Sequence, residues 1–190
     1  MNIIMKQDPL RKEKVGMSAI SMKNGLGVPI THPYELAQRL GHSFINTIRT
    51  DISSEGTLDV LIQTGDDVLK TFMSIIRTDT TGMQIDLYED VTVSDVGTEA
   101  FTYIPNRING VEPLTSVYEN PTIDYIGTKI DENEIVGEQG IGGRRIGTGI
   151  SDPMHTPYKR NTNYILRFTN LETNTIRFVY RLVAYETEEV

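Results

Sequence analysis

The glycine-rich stretch at residues 137–149 is the part of the sequence whose composition most suggests ligand chemistry. Its glycines can present backbone N–H groups, and Arg144 and Arg145 can pair with phosphate oxygens. A nucleotide-binding loop, however, follows a strand and opens a helix, whereas this stretch runs into Ser151, Asp152 and Pro153 and lacks the Walker lysine. We therefore interpret the stretch as a surface loop, and Arg144 and Arg145 as candidate residues for binding a protein partner.

The other reactive side chains do not match the spacing of a catalytic or metal site. The three histidines lie far apart, no cysteine is present, and the acidic clusters at 66–67, 88–90 and 131–134 lack the ligand pattern of a calcium loop. Charge clusters of this kind usually belong to solvated turns. No Ser-His-Asp context and no dinucleotide-binding fingerprint occurs. The sequence therefore predicts a protein that is not an enzyme and that binds no metal and no cofactor.

Length and charge limit the remaining classes of function. A chain of 190 residues with 38% hydrophobic and 23% charged residues can bury the core of one domain. Its net charge of -8 disfavours binding to the phosphate backbone of nucleic acids. No apolar run approaches the ~20 residues of a membrane helix, and charge and proline interrupt the start before a signal sequence could form. We expect a protein made in the cytoplasm, without membrane or nucleic-acid partners.

Residues 1–40 are predicted to be an extended N-terminal arm that ends in one short helix near 33–40. Pro33 suits a first helical turn and Gly41 can end the helix. The first 14 residues hold four cations and two anions, so a basic arm precedes an acidic body. The arm shows no apolar period and is expected to become ordered on a partner. Its candidate contact residues are Ile3, Ile4, Lys6, Arg11, Lys12 and Lys14.

Residues 41–190 show the alternation of apolar and polar residues that is typical of β-strands. The clearest example runs from Ile176 to Ala184, and residues 71–76 are apolar on both faces, which predicts an inner strand. Segments 163–169 and 175–185 are expected to pair as a hairpin. The pattern predicts an all-β domain, an antiparallel β-sandwich or jelly roll of about eight strands. Its predicted core residues are Val60, Ile62, Ile85, Leu87, Leu166, Phe168, Phe178 and Leu182.

Three arginines lie on the polar side of the predicted final hairpin. Arg167, Arg177 and Arg181 form either a cationic stripe that binds carboxylates or a set of ordinary cross-strand ion pairs. The pattern of residues does not favour one interpretation over the other.

A series of short motifs, taken in order, resembles a family of small structural proteins of tailed bacteriophages. The resemblance covers about residues 41–186. The motifs are GHSF at 41–44, LDVLIQT at 58–64, IDLYE at 85–89, Gly97-Thr98, Asn106-Arg107, the glycines at 140–143, NTNYILRFTN at 161–170 and Ala184-Tyr185-Glu186. These proteins are thought of as capsid decoration or head-stabilising proteins. The resemblance implies a β-sandwich or jelly-roll body without catalytic residues.

The resemblance implies a virion structural protein that decorates or cements the outer surface of a phage head. The expected partners are the major capsid protein and further copies of the chain, three being the expected number. The alternative is a receptor- or carbohydrate-binding module of a tail fibre or baseplate. Four tyrosines in the loop-rich middle favour that alternative and the absence of tryptophan weakens it. They are Tyr103, Tyr118, Tyr125 and Tyr158.

Overall fold

The computed structural model describes residues 33–78, 82–136 and 157–187. This part of the chain contains one helix, α1 (Pro33–Leu40), which confirms the predicted short helix. The strands are β1 (Ser43–Ile52), β2 (Thr57–Gln63), β3 (Val68–Thr78), β4 (Gly82–Glu89), β5 (Thr92–Asp95), β6 (Thr98–Glu99), β7 (Phe101–Tyr103), β8 (Ser116–Glu119), β9 (Thr122–Tyr125), β10 (Thr128–Val136), β11 (Pro157–Tyr158), β12 (Asn163–Asn170) and β13 (Ile176–Thr187). Strands outnumber the eight predicted because the middle of the chain forms several short ones.

Two antiparallel sheets enclose the main core, which confirms the predicted all-β sandwich. The five-stranded sheet has the order β11-β3-β13-β1-β7, and the six-stranded sheet has the order β10-β4-β12-β2-β8-β6. Both sheets contribute to one buried cluster, in which the ring of Phe168 lies 4.7 Å from that of Phe178 and 5.2 Å from that of Tyr180. Period-two alternation places one face of each strand in this cluster.

The predicted core is confirmed for Val60, Ile62, Ile85, Phe168, Phe178 and Leu182, all of which are buried. Leu87 and Leu166 are only half-buried, although both pack against the core. They stand opposite each other on β4 and β12.

A second, smaller cluster explains why Leu61 breaks the alternation of β2. Leu61 and Ile165 point away from the main core and are buried with Val91 on the outer side of the six-stranded sheet. A two-stranded sheet of β5 and β9 covers this side and contributes Val93 and Ile123. Strands that are covered on both faces lose their simple alternation.

The predicted hairpin of the last two strands is wrong. β12 lies in the six-stranded sheet and β13 in the five-stranded sheet, so residues 171–175 cross from one sheet to the other. Fully buried Asn170 holds this corner, because its Nδ2 donates to the carbonyls of Ser53 (2.9 Å) and Asn174 (2.8 Å). Its Oδ1 accepts a hydrogen bond from the amide of Glu172 at 2.9 Å. Alternation predicts which residues face the core, but not which strand lies alongside.

The pairing of the strands bears on two further sequence predictions. The segment 71–76 is predicted to be an inner strand, and β3, which contains it, lies between β11 and β13 in the order of the five-stranded sheet. In the described part of the chain β13 pairs along the length of β3, whereas pairing with β11 is confined to Leu69 and Lys70. The acidic stretch at 131–134 is not a turn but lies on β10, which pairs with β4 at the edge of its sheet. Charged side chains on an edge strand oppose pairing with other chains.

The predicted grouping of Arg167 with Arg177 and Arg181 is also wrong, because the strands belong to different sheets. Arg167 points outward from the six-stranded sheet, where its Nε and Nη2 contact Asp59 at 2.7 and 2.8 Å. The pKa of the Arg167 guanidinium is raised, mainly by the hydrogen bonds to Asp59 and to a smaller extent by the negative charge of Asp59. Arg167 is therefore a member of a cross-strand ion pair that ties β12 to β2.

A neighbouring carboxylate, Asp86 on β4, is also held by contacts with charged and polar side chains, one from β10 and one from its own strand. Lys129 Nζ lies 3.0 Å from Asp86 Oδ1, and Gln84 Nε2 donates to the same oxygen at 3.1 Å. Burial by itself would raise the pKa of Asp86, but the hydrogen bonds from Gln84 and Lys129 and the lysine's charge together lower it below its ordinary value. Its ionised form is thus stabilised in the folded protein.

Replacing Asp86 with asparagine is expected to lower the free energy of unfolding at pH 7 by about 1–3 kcal/mol. Because the pKa is lowered on folding, this stabilisation is present above the carboxyl's ordinary pKa and disappears as the pH falls through the folded-state pKa. The difference between Asp86→Asn and wild type should therefore shrink towards pH 2, measured by urea unfolding at several pH values. Asp66→Asn, at an exposed carboxylate, serves as the control. A difference that is independent of pH would contradict the assignment.

Candidate functional site

A long connection between β7 and β8, residues 104–115, is held in place by contacts with distant parts of the chain. We call it the pinned loop. Asn106 provides the first contact, since its Nδ2 donates to the carbonyl of Arg39 at the end of α1 at 2.8 Å. Its Oδ1 accepts the amides of Ile108 (3.0 Å) and Asn109 (2.9 Å). One side chain therefore both folds the loop and ties it to the helix.

Gly41 provides the second contact and has to be a glycine. Its φ of 88° lies in the left-handed region that side chains disfavour. A Cβ on this residue would stand 2.0 Å from the carbonyl oxygen of Asn109. The carbonyl of Gly41 also accepts the amide of Val111 at 3.0 Å. The helix end and the loop thus approach each other more closely than any side chain would allow.

Glu186 provides the third contact, near the end of β13. The residue is only 5% exposed, and its two carboxylate oxygens accept the amides of Leu114 (2.9 Å) and Thr115 (2.6 Å). Its own amide donates to the carbonyl of His42 at 3.1 Å. A buried carboxylate with two backbone donors is a strong, directional anchor. The loop is consequently fixed at both of its ends.

The segment that contains β7 and the pinned loop carries most of the large apolar side chains that are exposed in the described residues. We call the set the apolar rim: Phe101 (70% exposed), Tyr103 (40%), Ile108 (92%), Val111 (52%) and Leu114 (53%). On β7, Thr102 Oγ1 accepts from buried Asn46 at 2.7 Å, so Phe101 and Tyr103 point to the opposite, outer side. Single exposed apolar residues are common, whereas several on one rigid segment indicate an interaction site.

An open depression of about 410 Å³ adjoins the pinned loop. It is lined by Glu35, Gln38 and Arg39 of α1 and by Asn106. The lining combines one acid, one base and two amides, which is the composition of a polar border rather than that of an apolar ligand pocket.

A second group of titratable side chains, formed by Tyr164, Glu89 and Lys159, holds strands together. Tyr164 Oη lies 3.1 Å from Glu89 Oε2 and accepts the amide of Lys159 at 2.8 Å, and Lys159 Nζ forms an ion pair with Glu89. Burial, the largest cause, raises the pKa of the Tyr164 phenol. The phenol is therefore neutral at physiological pH, and it links β12 to Glu89 of β4 and to Lys159, the residue that follows β11. The acidic cluster at 88–90 is predicted to be a solvated turn, and for Glu89 this prediction is wrong, because the residue lies on β4 and is half-buried.

The partner-binding residues predicted from the sequence all lie outside the described residues. These are Ile3, Ile4, Lys6, Arg11, Lys12, Lys14, Arg144 and Arg145. The sequence indicates no binding role for Asn106, Gly41 and Glu186, and only Gly41 has a predicted part, as the end of the helix. Each of the three belongs to one of the short motifs quoted above. The structure brings those three motifs together at the pinned loop.

The four tyrosines considered for sugar binding do not share one environment. Tyr103 and Tyr125 are exposed, whereas Tyr118 packs against the outer cluster and Tyr158 stacks edge-on against Tyr164 at 4.7 Å. Two of the four thus have a packing role.

Within the described ranges, no three His, Asp or Glu side chains are grouped so that they could hold a metal ion. None of the helices described there is long and apolar enough to cross a membrane. The fold and the site define an all-β sandwich whose exposed apolar side chains are concentrated on β7 and the anchored loop that follows it. No protein-family model, no curated protein and no solved structure matches the chain.

Proposed function

We propose that this protein is a non-catalytic structural protein of a phage particle that decorates or cements the outer surface of the head. The apolar rim is the observation that carries the proposal. Its side chains are exposed on β7 and on the pinned loop, which three separate anchors hold in place, so binding orders few additional groups. Preorganised apolar and aromatic residues are typical of sites that bind another protein. The major capsid protein is the proposed partner.

A repeated shell would strengthen such a contact. The capsid presents the same surface many times, and a symmetric oligomer of this chain could engage several equivalent sites at once. We therefore include homo-oligomerisation in the proposal, with three copies as the expected number. A modest affinity for each copy then gives stable attachment.

The proposal is tested by co-sedimentation of the purified protein with assembled phage heads. The double substitution Phe101→Ser and Ile108→Ser should weaken attachment at least tenfold, because burial of each side chain contributes about 1.5–3 kcal/mol. The melting temperature should stay near that of wild type, since both side chains are exposed.

Leu171→Ser provides a matched control. Leu171 is 47% exposed but precedes the start of β13, whereas the pinned loop contacts the end of that strand, roughly 30 Å away. Attachment of this variant should equal that of wild type. Folded Phe101→Ser/Ile108→Ser protein that still binds heads as wild type does would contradict the proposal. Binding to a glycan array without binding to heads would favour the receptor-binding alternative instead.

A further inference from the structure

The outer side of the five-stranded sheet carries three exposed arginines on its two central strands. In β1, Phe44, Ile48 and Ile52 point into the core, so Arg49 points outward. In β13, Phe178, Tyr180 and Leu182 point into the core, so Arg177 and Arg181 also point outward. All three arginines are exposed. We call this surface the arginine face.

The register places these arginines next to one another. Arg49 stands opposite Val179, which makes it a diagonal neighbour of both Arg177 and Arg181. Diagonal positions in antiparallel strands lie about 7–8 Å apart. At that distance, like charges repel unless a counter-charge is present. Arg167 does not belong to this set because β12 lies in the other sheet. Arg49 does belong to it because β1 pairs with β13.

Little negative charge lies nearby to compensate. Asp51, opposite Arg177, is the only acidic residue at the outward positions of β1 and β13. Arg177 makes an interaction within the chain, but no carboxylate of the described residues forms an ion pair with Arg49 or Arg181. By contrast, Lys129, Lys159 and Arg167 are all paired. In a protein with a net charge of -8, two adjacent arginines without a carboxylate partner among the described residues are available to bind carboxylates of another protein.

The arginine face is continuous with the apolar rim. Phe101 stands opposite Thr47 on one side of β1, and Arg181 stands opposite Thr47 on the other. One row across the sheet therefore runs from an exposed aromatic ring to an exposed guanidinium. Arginine and aromatic residues together are the combination enriched at protein–protein contacts.

We infer that the arginine face binds a carboxylate-rich protein surface that simultaneously covers the apolar rim. This inference rests on the proposed function and names the chemistry of the partner. The partner is a protein and not a nucleic acid, since the apolar rim needs apolar contacts that a phosphate backbone does not offer. An acidic partner also repels the other, acidic sides of this molecule, so that only one orientation is favourable.

The experiment compares two variants with the same change in net charge. Arg49→Gln/Arg181→Gln removes two positive charges from the arginine face, and Thr92→Glu/Thr122→Glu adds two negative charges at exposed positions of β5 and β9. In co-sedimentation with phage heads at 50 mM NaCl, the first variant should bind at least tenfold more weakly, and the second within about twofold of wild type. Asp51→Asn should bind more tightly, and wild-type binding should weaken with added salt. Equal losses for both double variants would overturn the inference.

A second probe separates this inference from the proposed function. Immobilised poly-L-glutamate should retain the wild-type protein and not Arg49→Gln/Arg181→Gln. If poly-L-glutamate retains only the wild-type protein and phage heads bind neither protein, the inference stands and the proposed function fails. If heads bind both proteins equally, the proposed function stands and the inference fails. Retention of the wild-type protein on duplex DNA in preference to poly-L-glutamate would overturn the inference that the arginine face binds carboxylates. Retention on neither material would overturn it as well.

Discussion

Replacing Phe178 with alanine is expected to lower the free energy of unfolding by about 3–5 kcal/mol. Phe178 is 1% exposed and its ring lies 4.7 Å from that of Phe168 on the opposite sheet. Truncation removes one of the aromatic contacts between the two sheets and leaves a cavity in the shared core. A domain of this size has only about 5–15 kcal/mol of stability in total, so the loss should be obvious in urea unfolding.

Thr175→Ala is the control for that experiment. Thr175 is exposed and lies three residues before Phe178 in the connection between the sheets, so its substitution should change stability by less than about 0.5 kcal/mol. A Phe178→Ala variant with the wild-type urea midpoint and slope would mean that this side chain does not lie between the sheets.

Replacing Glu186 with glutamine is expected to cost about 2–3 kcal/mol and to loosen the pinned loop. Each carboxylate oxygen accepts one backbone amide, from Leu114 and from Thr115. Glutamine has a single acceptor oxygen, so its NH₂ group would face a backbone N–H donor, leaving a buried donor unsatisfied. Hydrogen exchange should be faster at the amides of Leu114 and Thr115 than in wild type.

Glu112→Gln makes the same chemical change at an exposed position in the same loop. Its stability and exchange rates should match those of wild type. If both variants behave alike, Glu186 does not anchor the loop, and the rigidity attributed to the apolar rim would have to come from the contacts of Asn106 and Gly41. If Glu186→Gln alone loosens the loop, attachment to phage heads should weaken with it.

Arginines on the outer sides of the two sheets differ in whether a carboxylate lies opposite them. Arg167 and Arg181 are both outward-facing residues of long strands. Arg167 stands between Asp59 and Asp86 in neighbouring strands, whereas Arg181 stands between Thr47 and Ile75. The difference lies wholly in which strands are adjacent. Because the local sequence does not contain this information, it supports both interpretations of these arginines equally.

Local sequence determined the features that depend on neighbouring residues. The helix at 33–40 could be predicted because Pro33 and Gly41 act on the backbone of the turns that contain them. The core face of β13 could be predicted because the alternation from Ile176 to Ala184 assigns each side chain to one side of a strand. A chain with this alternation and almost no helical period has few options other than a β-sandwich or barrel.

Tertiary structure alone decided which strands are neighbours and where the candidate site lies. β12 and β13 are adjacent in sequence yet lie in opposite sheets, because Asn170 holds a corner through carbonyls of two separate segments. The pinned loop depends on contacts between residues 67 and 72 positions apart, from Asn106 to Arg39 and from Glu186 to Leu114. Period and propensity act over a few residues, whereas hydrogen bonds between such distant groups exist only once the whole chain has brought them together.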